Sequence, residues 1–135
     1  MAIKEVGIAV RRHLKTASPN LPTAQENIPF TAPDTMYQRL QFVVSPPTDP
    51  TFGTYFHREN VEAQVFVVDA LGVGTTNAIT RAELIRDLFR KGITLEENGI
   101  RMHVLRTPQI AGAVVAADRV IVPVLIPLTV EVYHN

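Results

Sequence analysis

The chain of 135 residues has no cysteine. That excludes disulfides, a thiolate nucleophile, iron–sulfur clusters and the usual zinc fingers. Serine is almost as scarce. Ser18 and Ser45 both precede proline, and neither sits in a Gly-x-Ser-x-Gly elbow, so a serine triad is not supported. No charge of one sign dominates, because 13 basic and 13 acidic residues cancel. Wholesale binding to nucleic acid or an anionic membrane gets no support from that balance. No apolar run is long enough to span a bilayer. The strongest, Val120 to Val130, is short and holds Pro123 and Pro127. The N-terminus carries Lys4, Glu5, Arg11 and Arg12 and lacks a signal-peptide core. The expectation is one soluble domain over residues 1–135, suited to a cytosolic setting.

What is present is a succession of short elements. Ile3, Val6, Val10 and Leu14 recur at helical spacing and predict an amphipathic helix over 3–16, stopped by Ser18-Pro19-Asn20. Residues 23–28 form a short strand leading to a corner at Pro29. Tyr37 to Val44 alternates as a strand, and 45–57, with three prolines, reads as a loop. Val61 to Ala70 is apolar on both faces toward its end, as a covered central strand should be. Thr80-Arg81-Ala82-Glu83 has capping-box spacing for a second helix, with an earlier start near Thr76 as the alternative. Leu84, Ile85, Leu88 and Phe89 form its apolar stripe, and Gly92 marks its end. Asn98-Gly99 closes a hairpin between Ile93–Glu96 and Ile100–Leu105. Residues 107–118 read as a loop. Arg119 to Tyr133 is a last strand, and its two prolines of equal parity predict an edge position or a break near Pro127. The fold expected is α+β: a mostly antiparallel mixed β-sheet with two helices packed on one face.

Candidate chemistry is thin. Gly72-Val73-Gly74-x-x-Asn77 lies between strand and helix like a dinucleotide loop. It lacks the third small residue, and a hairpin follows where a second βαβ strand is needed. His57 and Glu59 would share a strand face and could exchange a proton, yet a solvated strand entry explains them as well. His13, His57, His103 and His134 show no metal-ligand spacing. Arg81, Arg86, Arg90 and Lys91 give the second helix a partly basic flank, interrupted by Glu83 and Asp87. No catalytic, cofactor-binding or metal residue is assigned. Apolar residues in connections stand out instead: Phe52, Tyr55 and Phe56; Leu71 and Val73; Ile110, Val114 and Val115. These are candidate subunit contacts, although some could pack on the core.

The stretch Thr23-Ala24-Gln25-Glu26-Asn27-Ile28-Pro29-Phe30, with Tyr37 and Leu40 behind it, resembles the opening of the phage tail terminator-like proteins. The later order is similar too: a Val-rich strand, a Gly-containing turn, a helix ending in Phe89-Arg90-Lys91-Gly92, a hairpin, and a last strand finishing near Val132-Tyr133. The resemblance implies a structural protein of the virion tail, present in the host cytoplasm during assembly. Such proteins form a ring, usually a hexamer, on the head-proximal end of the tail tube, stop its polymerisation and face the head connector. The implied partners are further copies of the chain, the major tail-tube protein and head–tail connector proteins, with no membrane and no sequence-specific nucleic acid. No cofactor and no active site are implied. Glu26, Asn27, Pro29 and Phe30 are then a structural corner: Phe30 anchored in the core, Pro29 fixing the bend and Asn27 bonding backbone. The proline-rich 45–57 segment matches no fixed feature of the family. A head–tail completion or connector-adaptor protein is the alternative, and a small ligand-binding module or enzyme a more distant one.

Overall fold

A computed structural model describes residues 2–50, 52 and 56–133. Among the described residues two helices and eight strands follow one another as α1 (Ala2–Leu14), β1 (Thr23–Gln25), β2 (Tyr37–Thr48), β3 (Phe56–Ala70), α2 (Thr76–Leu88), β4 (Thr94–Glu97), β5 (Ile100–Val104), β6 (Gln109–Ile110), β7 (Val114–Ala116) and β8 (Arg119–Tyr133). The strands make one sheet in the order β1-β2-β3-β8-β5-β4, with β6 and β7 also pairing β8. β1 runs parallel to β2, and the other pairs are antiparallel. The class is therefore α+β with a mixed sheet. No helix among the described residues is long and apolar enough to cross a membrane.

The core follows from period-two patterning in the two longest strands. Val61, Ala63, Val65 and Val67 of β3 lie opposite Leu128, Ile126, Val124 and Val122 of β8, and all eight are buried. The same cluster takes Val6, Ala9, Val10 and Leu14 from α1, Ala78, Ala82 and Ile85 from α2, and Phe89 at the C-cap of α2. Each large side chain removed from water there contributes roughly 2 kcal/mol. Met102 and Val104 of β5 and Leu40 of β2 complete it.

Four sequence expectations change. The segment 45–57 is not all loop: β2 continues through Pro46 and Pro47 to Thr48, with a register shift between Ser45 and Thr48, and β3 already begins at Phe56. The prolines disturb the ladder without ending it. α2 starts at Thr76, where Thr75 is the N-cap, so the Thr80 hydroxyl donates to the Thr76 carbonyl from inside the helix. Residues 107–118 contain β6 and β7, and Ala117 (φ 56°) turns β7 into β8.

The fourth change concerns β8, which is neither an edge strand nor broken. It pairs β3 over all fifteen residues from Arg119 to Tyr133. Pro123 and Pro127 turn their donor-less nitrogens toward the other side. There their carbonyls accept Ala111 N–H at 3.0 Å and Leu105 N–H at 2.9 Å. That neighbouring side is interrupted instead: β5 ends beside Leu128, β6 covers Leu125 and Val124, and β7 resumes at Ile121. Equal parity of the two prolines leaves the β3 ladder intact and divides the opposite ladder into three pieces.

Candidate assembly surfaces

The corner between β1 and β2 is built by Asn27, whose φ of 57° places it in the left-handed region that Asn tolerates. Its polar bond to the sheet comes from Glu26: Oε1 accepts the Phe42 N–H at 3.0 Å. Phe30 does not anchor the core. It is 38% exposed, in the connection 26–36, and its ring lies 5.4 Å from that of Tyr37. Tyr37 is the buried aromatic. The Arg119 guanidinium lies 5.6 Å from the Tyr37 ring centre and donates to the Pro33 carbonyl at 2.7 Å. The corner is thus bonded to β2 by a carboxylate and covered by a Phe30–Tyr37–Arg119 stack.

Beneath it runs a buried polar chain. The Arg81 guanidinium donates to the Pro19 carbonyl and to Gln38 Oε1. Gln38 Nε2 donates to Thr23 Oγ1, which donates to the Leu21 carbonyl. Burial lowers the pKa of Arg81. Arg81 is therefore an internal tie between α2, β2 and the 19–23 segment, and Arg86 donates to the Pro108 carbonyl at 3.0 Å. The expected basic flank of α2 loses both residues, and the exposed Arg90 and Lys91 lie past the helix end at Leu88.

At the opposite end of the sheet a cavity of about 740 Å³ opens among Ile3, Ile100, His57, Glu59, His103 and Glu131. His57 Nε2 and Glu59 Oε1 are 2.8 Å apart, as residues two apart on one strand face should be. Arg58 lies on the other face and pairs with Glu131 at 3.0 Å. The Tyr133 hydroxyl donates to Glu131; this bond, with that of Arg58, holds the Glu131 carboxyl below its ordinary value, and the Glu131 carboxylate pushes the Tyr133 phenol above its own. Of the other histidines, His13 Nε2 bonds the Leu88 carbonyl at the end of α2, and His103 Nδ1 bonds Thr94 Oγ1. His134 lies outside the described residues. Among those described, no group of three His, Asp or Glu could hold a metal ion. The cavity is thus lined by polar side chains that bond one another. The Gly72–Asn77 turn has no adjacent βαβ partner either, since the strand after α2 is β4, at the far edge of the sheet.

The apolar residues of the connections divide. Leu71 (51% exposed), Val73 (57%), Val114 (53%) and Val115 (65%) lie at the surface. Leu71, Val114 and Val115 gather at one end of the sheet, where Leu71 N–H donates to the Asp118 carbonyl and Val114 and Val115 pair with Ile121 and Val120. Phe52 is fully exposed. Phe56 is partly covered and its ring sits 5.5 Å from that of Tyr133. Ile110 belongs to β6 and packs against the core. Tyr55 lies outside the described residues. Val43 and Val44, half exposed on β2, were missed from the sequence. Their signal is two adjacent valines just before Ser45-Pro46-Pro47, where a strand leaves the core.

A small α+β protein with one mixed sheet and exposed apolar residues at its connections has the form of an assembly component. A family model described as phage tail terminator protein matches residues 5–128, and the chain belongs to that family. A solved protein structure superposes with a TM-score of 0.78 at 22% identity, covering 100% of this chain and 99% of that one, which is a likeness of fold. Among curated proteins none matches. Family membership carries a structural role in the phage tail and in virion assembly, together with contact with other tail and head–tail proteins.

Proposed function

We propose that the chain acts as one tail terminator domain over residues 1–135, which assembles as a ring, six copies in the usual case, on the head-proximal end of the tail tube. The ring ends tube polymerisation and forms the surface to which the head connector joins. The family match over residues 5–128 carries this proposal. The exposed Leu71, Val73, Val114 and Val115 support it, because apolar side chains exposed in and beside connections are suited to burial between subunits. These four, with Phe52, are the proposed subunit contacts. Phe56 and Ile110 contribute from behind as partly buried supports.

The test is electron microscopy and sedimentation of the concentrated protein, alone and with purified tail-tube protein. Rings, or capped tubes of limited length, are expected. A strict monomer that neither binds nor shortens tubes would overturn the proposal. Capture of portal or adaptor protein in place of tube protein would move the chain to the connector side of the joint.

A further inference from the structure

The sheet has two outer edges, and each is bonded by a charged side chain from a neighbouring segment. On β4, the outward carbonyl of Glu96 accepts the Arg12 guanidinium at 2.7 Å, and Arg12 also pairs with the Glu97 carboxylate. On β2, the outward N–H of Phe42 is taken by Glu26 Oε1 at 3.0 Å. The second edge is the more vulnerable. β1 covers only Gln38 to Leu40 of a strand that runs to Thr48. Along β2, alternate N–H groups face outward. Gln38 bonds the Pro22 carbonyl, Phe42 bonds Glu26, and Pro46 has no N–H. Val44 is left as the open donor of this stretch. The segment Leu40-Gln41-Phe42-Val43-Val44 carries no charge, is apolar at four of its five positions and ends in two β-branched valines, both half exposed. Those are the properties of a strand that recruits another strand.

We propose that Phe42–Val44 is a strand-addition site for β2 of a second copy, and that the Glu26 carboxylate keeps it closed. A carboxylate is an acceptor only, so it satisfies the Phe42 donor and presents none of its own to an arriving chain. Its charge also repels the Glu26 of the arriving copy. The role of Glu26 in the corner is then the protection of a sheet edge. This proposal stands whether or not the ring does, since it concerns pairing that competes with any ordered assembly.

Amide hydrogen exchange read residue by residue over a concentration series tests it, with sedimentation alongside. In Glu26→Ala, Phe42 and Val44 should exchange freely at low concentration. Both should become protected as concentration rises, with an association midpoint about tenfold below that of the parent, the worth of one freed hydrogen bond. Glu26→Gln retains an acceptor at the same reach and should stay nearer the parent. Adding Val44→Pro to Glu26→Ala removes one of the two outward donors then open and puts a proline into the added pairing, which should abolish the association; if that double variant melts below the assay temperature, Val44→Lys, which puts a charge on the same edge, replaces it. Unchanged association in Glu26→Ala would overturn the proposal. So would association that survives the Val44 substitution, or that protects residues elsewhere and leaves Phe42 and Val44 exchanging.

Discussion

At the scale of single residues, Arg81 shows how position overrides type. Arginine on a helix with Arg86, Arg90 and Lys91 reads as solvated or as a basic face. In the fold it is buried, bonded to Pro19 and Gln38. Arg81→Ala leaves the buried Gln38 oxygen without this donor and should cost about 3 kcal/mol. A midpoint roughly 10 °C lower in thermal unfolding checks it. Arg90→Ala, exposed just past the end of α2, should change stability by less than about 0.5 kcal/mol. An equal loss in both variants would mean that the buried chain is not a tie. The corner carries the same lesson. Glu26, Asn27, Pro29 and Phe30 were legible as a bend, and Asn27 supplies its positive φ. Their partners were not legible, because Phe42 and Tyr37 approach only through the parallel pairing of β1 with β2. His57 with Glu59 could be read, since strand alternation alone brings them together. The other walls of their cavity come from α1, β5 and β8, which sequence spacing cannot assemble.

At the scale of elements, local chemistry was a good guide where one turn or one face decides the outcome. Asn98 and Gly99 take the positive φ values of the expected hairpin turn, and α1 and β3 follow their apolar periods. It failed where a long-range neighbour decides. The prolines of β8 were read correctly as removing donors from one edge. Which edge, and whether the strand or its neighbour would break, depended on the pairing with β3. Moving a proline to the opposite parity isolates this rule. Val124→Pro turns the missing donor toward β3 and should cost about 3 kcal/mol or more. Pro127→Ala restores a donor on the interrupted side and should stay within about 1 kcal/mol. Urea unfolding midpoints of the two variants provide the comparison. Similar losses in both would show that parity does not govern the strand.

At the scale of the whole molecule, β3 and β8 form a two-strand beam paired along fifteen residues, roughly 50 Å of extended chain. Its two ends differ in kind. One carries the bonded pairs His57–Glu59 and Arg58–Glu131 beside the open cavity. The other presents Leu71, Val114 and Val115, held together by the Leu71–Asp118 bond and the β7–β8 turn. Unlike surfaces on one subunit suit head-to-tail contacts, which close as rings when the rotation permits. The apolar end is a place where burial remains to be gained, because Leu71, Val114 and Val115 are all more than half exposed. Placing two charges there, as Leu71→Asp with Val115→Asp, should abolish self-association and ring formation on tube protein. An unpaired carboxylate in a closed interface costs several kcal/mol. Both positions are more than half exposed in the free chain. The unfolding midpoint of the dilute protein should therefore move by no more than a few degrees. Rings that persist at parental concentrations would remove this end of the sheet from the subunit contact.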